Sequence, residues 1–280
     1  CASSDGKKYL ICHNSDLSAG LIAQVHQRRC HGFRACIVTI DDEGHVSMLF
    51  NVLAHLNRCE SKKTAADIAG VMSTVLFCPE DLMVLKTGAA ARRRLGDHAL
   101  CQLRPNYDAA LTEYNRILDQ KSRILKDHFE NPAVLEILPE YNTRLCQVGA
   151  LLISYRARFY DSLGKAAGAY HGQFSGGAED FSLAYKTVST VADPFAPVKQ
   201  LTEDLQEHLQ RHYRAELETA TCLTGPHKDD FSVSLSGIDL KAYGSQGQTR
   251  TAAISLKLAQ RELMGREWGE EPLLLLDDVL

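Results

Sequence analysis

The sequence predicts an α/β protein with a helical arm inserted between its two ends. Three observations point there. An uninterrupted apolar run at 273–276 follows Pro272 and stops at Asp277-Asp278. A strand with no polar alternation is buried on both faces, as in a parallel sheet covered by helices. The middle of the chain instead repeats apolar residues every three or four positions, the helical period. Before and after that middle lie short segments of β-branched and alternating residues bounded by turn formers, which read as strands.

Taken in order, residues 33–50 read as strand, turn (Asp41-Asp42-Glu43-Gly44) and strand. Residues 64–72 predict a short helix capped by Thr64. Residues 73–77 predict a short strand, and Pro79-Glu80-Asp81 starts a helical turn, with acids placed to favour the dipole. After Pro105, the stripe Tyr107, Leu111, Tyr114, Leu118, Leu125 and Phe129 predicts one amphipathic helix. A longer stripe follows, through Leu138, Leu145, Leu152, Phe159 and Leu163 to Tyr170. The two helices are expected to be antiparallel, joined near Asn131-Pro132, with Ser175-Gly176-Gly177 ending the second. Phe181, Leu183 and Tyr185 alternate as a strand. Asp193-Pro194 is expected to open a third helix, acidic over 200–219, through Val198, Leu201, Leu205, Leu209 and Leu217. Phe231, Val233 and Leu235, a Ser236-Gly237 turn, then Ile238 and Leu240 predict a hairpin. A helix is expected from about Thr249 to Arg266, before the apolar strand.

Composition narrows the function classes. The chain has 280 residues, 45% apolar and 24% charged, with 31 basic and 35 acidic side chains and a formal charge of −4. These are values of a folded globular protein, not of a disordered, collagenous or repeat-array chain. The charge argues against a uniformly basic nucleic-acid coat. It leaves room for a local basic face: residues 86–126 hold nine Lys/Arg against four acids, densest at Arg92-Arg93-Arg94. No apolar run approaches the roughly 20 residues needed to span a bilayer, so a soluble, cytoplasmic protein is expected. Nine scattered cysteines with no CxxC pair suggest reduced thiols. His26, Cys30, His31 and Cys36 do not have zinc-knuckle spacing. His208 and His212 share a helix face that reads as solvated. The chain starts at Cys1 and stops just after Asp277-Asp278, so it reads as a fragment.

Two features carry chemistry. Asp277-Asp278 stands at the carboxyl end of the buried strand, where open α/β sheets bind ligands. Acids in that position hold Mg²⁺ through water in nucleotide hydrolases. The bland reading is a strand end followed by a turn. Ser245-Gln246-Gly247-Gln248 precedes a helix, where exposed N–H groups and the dipole favour a phosphate. The bland reading there is an ordinary N-cap. The order of the two, helix start and then apolar strand with acids, is the signature-then-Walker-B order of ABC-type ATPases.

The sequence resembles the RecF family of bacterial DNA repair ATPases, which have an SMC-like ABC head. The matching stretches include Val75-Leu76-Phe77-Cys78-Pro79-Glu80-Asp81-Leu82, Ala91-Arg92-Arg93-Arg94-Leu95, Gln102-Leu103-Arg104-Pro105 with Tyr114-Asn115, Gly225-Pro226-His227-Lys228-Asp229-Asp230, Ser245-Gln246-Gly247-Gln248-Thr249-Arg250 and the run at 273–280. They occur in the family's order over residues 64–280. The resemblance implies a P-loop NTPase head of ABC/SMC type, incomplete here, with the helical arm as lobe II. It divides the chain into 1–77 (remnant of lobe I), 78–217 (lobe II) and 218–280 (signature and Walker B part of the head). It implies ATP and Mg²⁺ as cofactors, with Asp277 holding Mg²⁺ through water and Asp278 as the catalytic acid. Ser245, Gln246, Gly247 and Gln248 would contact the ATP of an opposing subunit in a head-to-head homodimer. Apart from the resemblance, the basic balance of 86–126 makes Arg92, Arg93 and Arg94 candidate DNA contacts through phosphate charge; the bland reading is a solvated helix face, or arginines that bridge the arm to the head. The implied function is recombinational repair at single-strand gaps, at double-strand/single-strand junctions, with RecO and RecR, in the cytoplasm on the nucleoid. No role for the 225–230 motif follows from the sequence.

The chain departs from the family's pattern at both ends: it stops before the Ser-Glu-Leu-Asp segment expected after Walker B, and it lacks a P-loop. No GxxxxGK[S/T] occurs, since Gly6-Lys7-Lys8 and Gly164-Lys165-Ala166 lack the first glycine and the final Ser/Thr. The 280 residues alone are therefore expected neither to bind ATP tightly nor to hydrolyse it. A second reading is another SMC-like head acting as a structural DNA clamp, but such arms run to long heptad arrays. A third, a Mg²⁺-dependent hydrolase using Asp229-Asp230 with Asp277-Asp278, leaves the 245–248 motif unexplained.

Overall fold

The computed structural model describes residues 9–12, 74–77, 79–269 and 272–277. The strands expected at 33–50, the helix at 64–72, the candidate zinc residues and Asp278 lie outside the described residues. The chain forms two compact units, Cys1–Pro79 with Glu270–Leu280, and Glu80–Gly269.

In the first unit, β1 (Tyr9–Cys12), β2 (Thr74–Phe77) and β6 (Leu273–Asp277) form a parallel sheet in the order β1-β6-β2. Tyr9 pairs with Leu274 and Cys12 with Asp277; on the other side Thr74 pairs with Leu273 and Phe77 with Leu276. The apolar run is thus the central strand, flanked on both edges. Val75 and Phe77 of its neighbour are buried. Asp277 closes the central strand at its carboxyl end.

The second unit is built on a 38-residue helix. Its elements are α1 (Pro79–Leu82), α2 (Ala89–Leu103), α3 (Pro105–Asp127), α4 (Leu138–Ser175), β3 (Phe181–Lys186), α5 (Val198–Thr219), β4 (Asp230–Leu235), β5 (Ile238–Asp239), α6 (Leu240–Tyr243) and α7 (Gln246–Trp268). At 1.5 Å per residue α4 is about 57 Å long. It packs against α3, α5, α7 and β3. Helices α3 and α4 are antiparallel: Glu113 meets Arg144, Tyr107 meets Tyr155, and Tyr114 approaches Gly149. Cys146, Ala150 and Ile153 of α4 form one core with Leu201, Leu205 and Leu209 of α5. Helix α4 ends at Gly176, whose φ of 63° is the left-handed cap that glycine favours. The β4–β5 hairpin turns through Ser236 and Gly237, both with positive φ, as the strand twist requires. β3 pairs antiparallel with β4 from Phe181↔Leu235 to Lys186↔Asp230.

Several expectations shift here. Helix α2 has no place in the sequence reading, because its buried face (Arg92, Leu95, Gly96, Ala99 and Leu100) contains an arginine and a glycine that break the apolar stripe. Helix α5 starts at Val198, not at Asp193-Pro194. Residues 193–196 instead form a turn in which Asp193 Oδ1 accepts from Phe195 N at 2.9 Å. Pro197, just before the helix, disfavours helical backbone at Ala196. The buried face of α3 is Tyr107, Ala110, Tyr114, Ile117, Lys121, Ile124 and Leu125, rotated from the expected stripe, and Phe129 is exposed. The second unit runs across 217/218, with β3 pairing with β4 and α4 packing along α7.

Candidate functional site

The 245–248 turn begins α7. Ser245 is its N-cap: Ser245 Oγ accepts from Gln248 N at 3.1 Å, and Gln248 Oε1 accepts from Ser245 N at 3.0 Å. This reciprocal capping box follows from Ser followed three residues later by Gln. Gly244 sets the approach, since a Cβ there would lie 2.6 Å from Leu240 O. Lys86 Nζ donates to Leu240 O at 2.7 Å and to Gly244 O at 2.9 Å, tying this bend to the segment after α1. Gln248 Nε2 donates to Glu179 Oε1 at 2.7 Å, and Glu179 Oε2 meets Nε2 of the buried His171 at 2.9 Å. The hydrogen bonds from Gln248 and then from His171 hold the Glu179 carboxyl below the usual range. Ser245, Gln246 and Gly247 are exposed, and open space surrounds Gly247. The cap occupies the Gln248 N–H, which leaves the Gln246 and Gly247 N–H groups as the helix-start donors without an intrahelical acceptor.

The 225–230 motif is a hub. Arg156, in the middle of α4 and 3% exposed, donates from Nη1 to Pro226 O (2.7 Å) and Asp229 Oδ2 (2.9 Å). Its other nitrogens reach Asp97 of α2 at 3.0 Å, and Nε also reaches Tyr107 OH of α3 at 3.0 Å. Tyr185 OH of β3 donates to Asp229 as well. Four elements therefore meet on one guanidinium. Gly225, with φ of 126°, has its Cβ position 2.2 Å from Tyr114 OH, so no other residue fits. Tyr114 OH lies 2.7 Å from His227 Nδ1, and His227 Nε2 lies 3.1 Å from Cys222 O. A second buried pair supports the loop before the motif. Lys121 Nζ of α3 and Glu216 Oε2 of α5 are 2.6 Å apart, while Glu216 Oε1 accepts from Leu223 N and Thr224 N.

The three arginines separate. Arg92 is 1% exposed: Nε and Nη2 grip Asp230 Oδ1 and Oδ2 at 2.5 and 2.9 Å, and Nη1 donates to Thr87 O at 2.6 Å. Burial raises the Asp230 pKa, but the Arg92 hydrogen bonds and charge outweigh it and hold that carboxyl low. A guanidinium spent in this way is not available to a phosphate, so Arg92 leaves the DNA-contact set. Arg93 is half-buried, with Nη1 donating to Asp229 O at 2.6 Å. Arg94 is exposed. His208 also departs from expectation. It is buried, not solvated, with Nδ1 2.9 Å from Thr224 Oγ1 and its ring stacked on His212.

Among the described residues no group of three or more His, Cys, Asp or Glu is placed to hold a metal. Asp229 and Asp230 are committed to arginines, which removes the hydrolase reading that used them. Burial pushes the Cys146 thiol up to about 12 and Cys222 up to about 11, so neither is a thiolate nucleophile at neutral pH. Among the described residues no helix is long and apolar enough to cross a membrane.

His227 yields a pH prediction. Burial lowers its pKa from 6.5 to about 4, against a smaller raising contribution from Cys222 O. An unfolded chain takes up the proton near 6.5 while the folded one resists until about 4. Stability from this group is therefore present above pH 6.5 and is lost as the pH falls towards 4. Between pH 7.5 and 5 the loss is about 2 kcal/mol. Urea unfolding at the two pH values measures it; His227→Gln should flatten the difference.

The fold and site define an α/β protein whose acidic strand end belongs to a parallel sheet and whose helical region is organised around a buried arginine hub. No protein-family model matches the chain. The DNA replication and repair protein RecF of Agathobacter rectalis is 33% identical over 256 residues, which are 86% of this chain and 68% of that protein. RecF of Bacillus subtilis is 36% identical over 229 residues, 80% of this chain and 60% of its own length. Two solved structures of the recombination mediator protein RecF in the RecFOR pathway, RecF-ATPrS and RecF-ATP, are 31% identical and cover 78% of this chain, with TM-scores of 0.73 and 0.72. This chain spans 58% and 57% of those chains. The chain belongs to the RecF family.

Proposed function

We propose that this protein works as a RecF: an ATP-gated, DNA-binding component of recombinational repair at single-strand gaps. The observation that carries the reading is similarity to RecF along most of the chain, joined to an outward-facing, capped helix start at the 245–248 motif. In this reading Ser245, Gln246, Gly247 and Gln248 meet the γ-phosphate of ATP held by an opposing subunit, where helix N–H groups and the dipole favour negative charge. Asp277, at the carboxyl edge of the central parallel strand, has the donor chemistry for Mg²⁺ through water, and Asp278 follows it as the catalytic acid. Mg²⁺ held there would neutralise charge on the phosphates of ATP. The chain's own residues orient the γ-phosphate and close a head-to-head dimer. Residues 1–77 and 218–280 act as head and 78–217 as arm. The charge facing double-strand/single-strand junctions comes from Arg93 and Arg94. RecO and RecR are the partners, and the cytoplasmic nucleoid is the site of action.

The test mixes the 280-residue chain with a RecF that carries a P-loop. Association is expected with ATP and Mg²⁺ and not with ADP, and Ser245→Arg should abolish it. Association that ignores the nucleotide, or that survives Ser245→Arg, overturns the signature role. Magnesium-dependent ATP turnover by the chain alone, lost in Asp278→Asn, would contradict the expectation that it is inactive by itself.

A further inference from the structure

Helices α2 and α3 face one another across a cleft whose lining is unusual for two packed helices. Positions 90, 93, 94, 97 and 98 of α2 and 111, 114 and 115 of α3 line it. Each set recurs at three-or-four spacing, so each is one helical face. Helix faces that meet are ordinarily apolar. Here α2 contributes Arg93, Arg94 and His98, and α3 contributes Asn115, around a cavity volume of about 400 Å³. His227 also lines it.

The lining is rich in donors and short of acceptors. Asp97 is its acid, and both Asp97 oxygens are already taken by Arg156, with Tyr107 OH donating to one of them. Arg156 is likewise spent on the hub. Arg93 commits Nη1 to Asp229 O and keeps the rest of its fork. Arg94 and Asn115 are exposed and make no hydrogen bond or ion pair among the described residues. Two guanidinium groups therefore stand on one helix face beside an uncommitted amide, without a free carboxylate to neutralise them. Guanidinium forks match the oxygens of a phosphate.

We propose that the α2–α3 cleft binds a phosphorylated ligand, with Arg93 and Arg94 supplying charge and Asn115 and His98 supplying directed donors. The space is well beyond a bare phosphate and falls in the range of small-ligand sites. It suits a phosphate together with its sugar, whether on a nucleic-acid strand or in a free nucleotide. The inference does not depend on the ATP reading. It rests on the DNA reading only for the choice of a strand, which it narrows from a basic patch to a cleft without Arg92.

The experiment uses the 280-residue chain and a fluorescein-labelled single-stranded oligonucleotide of about 15 nucleotides, followed by anisotropy at low salt, the regime in which phosphate contacts are strongest. Arg94→Glu and Asn115→Asp are each expected to weaken binding about tenfold or more, and Arg94→Glu to reduce the salt slope by about one. Arg116→Glu, exposed on α3 outside the lining, is the control, with an expected change below about threefold. Urea unfolding of each variant checks that the fold is kept. Inorganic pyrophosphate and a nucleoside monophosphate serve as competitors. Displacement by the monophosphate at strand-like concentrations supports a free nucleotide as ligand, and displacement by unlabelled strand alone supports the backbone. Equal losses in Arg94→Glu and Arg116→Glu overturn the cleft while leaving DNA binding standing. Absence of binding by every ligand overturns both.

Discussion

Replacing Arg156 with leucine is expected to destabilise the Glu80–Gly269 unit by about 3–5 kcal/mol, near the upper limit for a single substitution. The side chain joins α2, α3, α4 and the 225–230 loop through Asp97, Tyr107, Asp229 and Pro226 O. Its removal leaves the Asp97 and Asp229 carboxylates without their counter-charge, with Asp229 itself 1% exposed. Burial already pushes the Asp229 carboxyl up, and Arg156 opposes that push. Without the arginine, Asp229 must take a proton or the hub must open. Arg156→Lys should recover little, because one ammonium cannot replace a planar fork that serves two carboxylates and a carbonyl. The single tryptophan, Trp268 at the end of α7, lies in the same unit and reports its urea unfolding by fluorescence. A midpoint for Arg156→Leu that corresponds to less than about 1 kcal/mol would show that the hub is dispensable.

Lys121→Met is the second large effect, again about 3–5 kcal/mol. Lys121 and Glu216 are 0% and 1% exposed. Methionine fills the space of the lysine stem but leaves the Glu216 carboxylate without its counter-charge. Glu216 cannot simply be lost, because its other oxygen accepts the Leu223 and Thr224 N–H groups at 2.6 and 3.2 Å. The double variant Lys121→Met with Glu216→Gln keeps that acceptor and removes the charge. It should recover most of the loss, the usual result when a buried pair is replaced as a pair. A double variant as unstable as Lys121→Met alone would show that the charge itself is not the cause.

These two variants also mark where sequence reasoning stops. Lys121 falls between Ile117 and Ile124 in the α3 stripe, and Arg156 between Leu152 and Phe159 in α4. A cation in stripe register was visible in the chain and is the signal that points to a buried pair. Its partner was not visible, since Glu216, Asp97 and Asp229 lie on other elements. Helix α2 was missed for the same reason: its inward Arg92 reads as a surface residue until Asp230 is seen opposite it. The 245–248 cap was legible because Ser-x-x-Gln is a local pattern whose hydrogen bonds close within one turn. The link from Gln248 through Glu179 to His171 was not, because it joins residues far apart in the chain.

Local rules determined most of the elements. Helical spacing placed α3 and α4, Gly176 ended α4, Ser236-Gly237 turned the hairpin, and an unbroken apolar run became the central strand of a parallel sheet. The ordered motifs also carried the chain to its family. The tertiary structure alone decided what the polar residues do. It turned the 225–230 motif into a hub, sorted Arg92 into the core with Arg94 outside, and buried His208. The physical reason is that a charge enters the interior only where an opposite charge and hydrogen bonds offset its desolvation, and those partners come from elements that meet only on folding.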